Sequence, residues 1–191
     1  VGGYDTSALN SSEIYTPNTG IWSTASTMVT ARLYHGTQLL SDGRVLVVGG
    51  VYGTTLSSAE IYNPSTNAWS VTGALTAARS DHSTTLLNDG RVLVIGGYNS
   101  ATLTYLSSAE IYDPSTGAWS TAAPMSTTRR YHSATLLNDG RVLVTGGYNG
   151  SALSSSEIYN PTLNTWSATG SMPQAKRQHR ATLLNDGRVL V

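Results

Sequence analysis

The stretch Leu86-Leu87-Asn88-Asp89-Gly90-Arg91-Val92-Leu93-Val94-Ile95-Gly96-Gly97 recurs through the chain, and self-similarity at a fixed period leaves few folds open. It returns at 39–50, with Ser41 in place of the Asn, and again at 136–147. A last copy starts at Leu183 and stops at Val191, while Val1-Gly2-Gly3 supplies the residues that would come next. Other markers keep the same step: Trp22, Trp69, Trp119 and Trp166; His35, His82, His132 and His179; and Glu-Ile-Tyr triplets opening at Glu13, Glu60, Glu110 and Glu157. Each series advances by 47, 50 and 47 residues, and a wrap-around step of 47 accounts for all 191.

Composition narrows the function classes. Eleven basic residues balance 11 acidic ones, and only 12% of residues are charged, which leaves no electrostatic footprint for nucleic acid. No apolar run approaches the ~20 residues of a membrane span, so no membrane insertion is expected. The absence of cysteine removes disulfides, thiolate nucleophiles and cysteine metal sites together. One lysine, no phenylalanine and abundant Ser, Thr, Gly and Asn suggest a bacterial protein of extracellular or cell-surface style. Asn10-Ser11-Ser12 and Asn149-Gly150-Ser151 fit a glycosylation sequon, a pattern that chance supplies often.

Each repeat reads as four short strands. Thr84-Thr85-Leu86-Leu87 and Arg91-Val92-Leu93-Val94 flank Asn88-Asp89-Gly90, and Asp-Gly between apolar runs signals a hairpin because glycine takes positive φ without steric cost. Gly96-Gly97 ends the second strand. A third strand runs over 107–112, or 57–62 in the preceding repeat, and stops at Asp113-Pro114 or Asn63-Pro64, where proline forces a reversal. Ala118-Trp119-Ser120 makes a short fourth strand suited to an outer edge. Four strands per repeat, no helix signal and a period in the high forties predict an all-β propeller of four-stranded antiparallel blades.

The glycine pair, then Tyr, then Trp with six residues between the last two, resembles the kelch repeat. The match runs through Gly49, Gly50, Tyr62 and Trp69; Gly96, Gly97, Tyr112 and Trp119; and Gly146, Gly147, Tyr159 and Trp166; Tyr15 and Trp22 repeat its second half. It covers the whole chain, 1–191, as one propeller unit. Kelch propellers by resemblance carry six or seven blades, whereas four repeats stand here. They also complete one blade from both termini, which implies a blade shared between 181–191 and 11–23. The open halves can meet in three ways: four blades closing on themselves, two copies forming an eight-bladed homodimeric ring, or a segment cut from a longer array. Open edges favour the larger assembly.

Residues present in every repeat answer to packing first. The four Trp are expected to fill seams between blades, where losing one would cost about 3–5 kcal/mol. The four His sit one per blade, too dispersed to share a metal, and hydrogen bonds to neighbouring backbone are the expectation. The four Glu have two candidate partner sets: Arg44, Arg91, Arg141 and Arg188, or Arg32, Arg79, Arg129 and Lys176. Galactose oxidase resembles this chain in its kelch-like propeller, but by resemblance its copper site needs a Tyr cross-linked to Cys, and there is no Cys. No cofactor, metal or catalytic residue is therefore expected.

Function in a repeat protein sits where repeats diverge. The Asp-Gly and Pro turns fall on one face and barely vary. The loops after Gly-Gly and those leading from Trp to His fall on the other and vary most, with three extra residues in the third repeat within 98–109. Tyr4, Tyr34, Tyr52, Tyr98, Tyr105, Tyr131 and Tyr148 all map there. The residues that break the repeat, Tyr34, Asp81, Tyr105, Arg130, Tyr131, Arg177 and Gln178, are the candidate ligand-binding set. Tyr4, Tyr98 and Tyr148, each directly after Gly-Gly, could equally pack loops. Tyrosine with Arg and Asp around a mouth suits a protein segment or a glycan, so the expectation is a non-enzymatic interaction or adhesion scaffold. The propeller part of a larger secreted enzyme is the alternative.

Overall fold

The computed structural model describes residues 1–191 and is built of strands and turns alone. Three blades are complete. The first pairs Gly36–Leu39, Val45–Val48, Ala59–Asn63 and Ala68–Thr72 in that order from inside to outside, every neighbour antiparallel. The second holds Ser83–Leu86, Val92–Ile95, Ala109–Asp113 and Ala118–Ala122; the third holds Ser133–Leu136, Val142–Thr145, Ser156–Asn160 and Thr165–Thr169. Two half-blades flank them, Glu13–Thr16 with Ile21–Thr24 and Thr182–Leu183 with Val189–Leu190, each a separate two-stranded sheet. First strands of successive blades lie side by side, so they line the axis. The fourth strand runs five residues, beyond the expected three, because Ala118 to Ala122 pair in unbroken register with Asp113 to Ala109.

The second strand explains why the repeat phrase is apolar throughout. Val92 and Val94 pack against Leu46, Val48, Ile61 and Leu75 of the preceding blade, while Leu93 and Ile95 pack against Val142 and Val144 of the following one. A strand covered on both faces shows no polar alternation. Trp119 and Trp166 border these clusters, each 5.0 Å from the Tyr of its own blade, with Nε1 donating to Gly73 and Ala123 carbonyls across the seam at 2.7 Å. Trp69 donates likewise to the Ser26 carbonyl. Trp22 departs from the expectation: it is 67% exposed, because no preceding blade lies against the half-blade that carries it.

Of the two partner sets open to the Glu series, the structure chooses Arg32, Arg79 and Arg129. Their guanidinium groups reach Glu60, Glu110 and Glu157 at 2.8, 2.6 and 2.7 Å, with all six side chains almost wholly buried. Arg44, Arg91, Arg141 and Arg188 instead hold the Asp two residues earlier. Each buried Arg also donates to the first carbonyl of the glycine pair, Gly49, Gly96 or Gly146, at 2.7–2.8 Å. The Glu oxygens accept N–H groups from the connection just before it, as in Val29 and Thr30 to Glu60. For Glu157, burial raises the carboxyl pKa, but the Ser126 N–H and the Arg129 guanidinium outweigh it and hold the group below its ordinary value. Removing one partner of such a pair costs about 3–5 kcal/mol, because the other charge stays buried.

The glycine pair packs against the histidine of the next blade. A Cβ on Gly96, which has φ +61°, would stand 2.5 Å from the Arg129 carbonyl and 2.9 Å from Cε1 of His132, so neither the conformation nor the space admits a side chain. The partners of His132 and His179 at Nε2 are hydroxyls, Ser83 at 2.8 Å and Thr145 at 3.1 Å, in place of the expected backbone. His82 Nε2 has no partner, because Gly36 occupies the position of Ser83 in the neighbouring blade. Gly36 is required there: a Cβ would overlap Thr84 Cγ2 and stand 2.7 Å from His82 Nε2, whereas the residue equivalent to Thr84 beside Ser83 is Ala134. Burial drives the imidazoles toward neutrality, with His35 lowered to about 4, His132 to about 3 and His82 well below its ordinary value.

Gly36→Ser alone should destabilise by about 1–3 kcal/mol through overpacking. Adding Thr84→Ala should recover only the part due to Thr84 Cγ2, because His82 Nε2 would still stand 2.7 Å from the new Cβ, and simple additivity in urea unfolding would contradict this arrangement. Because the folded histidine values lie below the unfolded ~6.5, the unfolded chain takes up protons that the folded chain refuses. Stability should therefore be level above pH ~6.5 and fall as pH drops through the window down to about 4 for His35 and about 3 for His132. His132→Gln should flatten the decline, read as the urea midpoint against pH.

Candidate functional site

The residue before each histidine, Tyr34, Asp81, Tyr131 and Gln178, adopts the left-handed conformation with φ of 56–57°. The reason is a main-chain link between blades. The Asp81 N–H donates to the Tyr34 carbonyl at 3.1 Å, Tyr131 to Asp81 at 3.0 Å and Gln178 to Tyr131 at 2.9 Å. The repeat thus dictates the backbone at these positions and leaves the side chains free, which is why they differ. Non-glycine residues here cost of order 1 kcal/mol each, repaid by the inter-blade bond.

These four side chains surround a cavity of about 310 Å3 at the axial mouth, with His35, His82, His132, His179 and Arg180 completing its wall. Tyr34 is 61% exposed at the rim. The Asp81 side chain is only 6% exposed, and burial pushes its carboxyl pKa up; the Ser80 hydroxyl donates to it at 3.1 Å, and Arg130 stands 3.8 Å away. Burial, then the charge of Asp81, raises the Tyr131 phenol.

Beside the mouth, the three extra residues of the third repeat lengthen a hairpin, Tyr98–Asn99 with Thr104–Tyr105. The equivalent hairpin in the preceding repeat, Val51–Tyr52 with Thr54–Thr55, turns at once on Gly53. The longer arm sets Tyr105 across from Tyr98 at 5.5 Å and edge-on to Tyr148 at 5.8 Å. Arg130 lies among these rings, 4.8 Å from Tyr98, 5.4 Å from Tyr105, 4.6 Å from Tyr131 and 5.6 Å from Tyr148. Arg177 repeats the Arg130–Tyr98 relation one blade on, 4.8 Å from Tyr148.

The structure therefore gathers the candidate set into two adjoining groups: Tyr34, Asp81, Tyr131 and Gln178 around the mouth, and Tyr105, Arg130 and Arg177 on its shoulder. Tyr98 and Tyr148, open between loop packing and binding, form walls for the two arginines, whereas Tyr4 and Tyr52 stand exposed apart from them. Arg180 joins the mouth from outside the candidate set, and its sequence signal is that it stands where the other repeats carry Gly36, Ser83 and Ser133. Two further grooves, of about 390 and 410 Å3, lie between blades on the opposite face. They are lined by the Asp-Gly and Pro turns that all repeats share, and their arginines are occupied by Asp42, Asp89 and Asp139.

Comparison with known proteins agrees with this architecture. The protein YjhT, a solved structure, superposes with a TM-score of 0.78 at 17% sequence identity, over 97% of this chain and 69% of its own. No curated protein matches the sequence. The family model described as the KLHDC2/KLHL20/DRC7 Kelch-repeats domain matches residues 1–191. With glycine pairs on the axis, a Tyr–Trp pair in every blade and this match along its whole length, the chain belongs to the kelch-repeat family.

Proposed function

We propose that this kelch propeller is a non-enzymatic scaffold that receives a protein partner on the Gly-Gly face, around the axial mouth. Kelch propellers are in general protein-interaction scaffolds. The observation that carries the reading is the mouth itself: four positions with one backbone conformation, occupied by two tyrosines, an aspartate and a glutamine, with a cavity between them. A non-catalytic role agrees with the carboxylates of the repeat, which are bound to arginine and backbone N–H groups, and with imidazoles held neutral by burial. Adhesion at a cell surface fits the Ser-, Thr- and Asn-rich, cysteine-free composition.

The scaffold is further proposed to work as a ring completed by a second copy. In the full blades, Val45, Leu46 and Val47 pair with Tyr62, Ile61 and Glu60. The same register sets Val189, Leu190 and Val191 against Tyr15, Ile14 and Glu13, whose edges are unpaired with each other in the chain. The chain spans 69% of the length of YjhT, the propeller it superposes on.

Two outcomes are expected. A photoreactive residue at Tyr34 or Tyr131 should cross-link to a partner in extract of the source organism, while one at Asn88 on the turn face should not; cross-linking from Asn88 alone would remove the mouth from consideration. Light scattering should give about 40 kDa, twice the 20.1 kDa of one chain, and a mass of 20.1 kDa would refute the two-copy ring.

A further inference from the structure

The arginines divide sharply by whether they hold a carboxylate. Seven of the ten, Arg32, Arg44, Arg79, Arg91, Arg129, Arg141 and Arg188, hold a carboxylate at 2.6–2.8 Å. The remaining three are Arg130, Arg177 and Arg180, and all lie on the Gly-Gly face beside the mouth. Arg130 makes no hydrogen bond through its guanidinium: Nε is buried without a partner, and the nearest carboxylate oxygen, on Asp81, is 3.8 Å away. A planar group with five donors, held rigid among aromatic rings, is set up to receive oxygen acceptors that the chain does not supply.

The arrangement extends across blades. Tyr98, Arg130, Tyr148 and Arg177 alternate, each arginine lying over a tyrosine of the preceding blade at 4.8 Å, and Arg130 also borders the tyrosine of its own blade. Stacking fixes where the positive charges lie without neutralising them. The result is an arc of cationic and aromatic positions spaced by the blade repeat, running past a mouth whose one carboxylate is tucked away.

Resting on the partner reading above, we propose that this arc recognises an extended protein segment bearing acidic side chains, with carboxylates on Arg130 and Arg177 and Arg180 contributing at the mouth. Bidentate pairing of carboxylate with guanidinium supplies the geometry, and the tyrosines accept the segment's aliphatic portions. A nucleic-acid strand fits less well: three charges on a neutral chain make a short arc, without the long basic stripe that a phosphate backbone needs.

The test measures anisotropy of fluorescein-labelled hexaglutamate and hexaglutamine at low salt, with the unmodified protein and with single variants. Hexaglutamate should bind about tenfold more tightly than hexaglutamine, and its affinity should fall with added salt. Arg177→Ala, at an exposed position that the fold does not need, should weaken hexaglutamate binding severalfold. Arg130→Met should weaken it about tenfold, while Arg91→Met on the opposite face should leave it unchanged. Equal affinity for the two peptides, equal loss from Arg91→Met, or an oligouridylate that outcompetes hexaglutamate would overturn the proposal. Cross-links from Tyr131 together with failed hexaglutamate binding would keep the mouth as a docking site and eliminate only the acidic partner.

Discussion

The arrangement depends on one residue per seam, the buried arginine that holds two blades at once. Its carbonyl accepts the N–H of the second glycine in the preceding blade, as Gly50 to Arg79 at 2.9 Å and Gly97 to Arg129 at 2.9 Å. Its side chain reaches into its own blade, to Gly96 and Glu110 in the case of Arg79. A desolvated ion pair by itself is a poor source of stability, since the solvation lost offsets the attraction. Here each pair is surrounded by carbonyl acceptors and N–H donors, which offsets the desolvation and makes the seam geometrically selective. Shape-complementary Leu and Val alone would let blades slide; a forked guanidinium with fixed acceptors does not.

The seam toward the last half-blade is built differently. Lys176 stands where the others have arginine, and its carbonyl still accepts the Gly147 N–H at 2.8 Å. Pro173 stands where Val29, Thr76 and Ser126 offer N–H groups to the glutamate. An ammonium gives three rotatable donors in place of a planar fork, and proline gives none. The main-chain half of the joint persists, while no planar fork holds its side-chain half.

How much of this was readable in the sequence follows from what each residue needs. Asp89-Gly90 and Gly96-Gly97 announce their conformations locally, so the hairpin and the end of the second strand were legible. The Trp series was legible as seam filler, but not the exposure of Trp22, which depends on whether a neighbour lies beside it. Choosing between two arginine series for Glu60, Glu110 and Glu157 needed the path of the connection over the blade, information that spacing does not carry. The role of Arg130 was hidden in a different way. A net charge of zero averages over both faces, and only pairing seven arginines with their acids shows that the three left over share one side.

The main-chain links at Tyr34, Asp81, Tyr131 and Gln178 also separate two properties that proteins usually couple. Because the inter-blade bond uses only N–H and C=O, the side chain at each position can change without touching the joint, subject to the left-handed φ. That conformation penalises Val, Ile and Thr and forbids Pro, while Asn, Asp and Gly enter at little cost. The mouth is in effect a four-letter address written in a restricted alphabet on a frame indifferent to its content. Such a chain can vary these side chains, the exposed Tyr34 most freely and the buried Asp81 least, without breaking the bonds that join its blades.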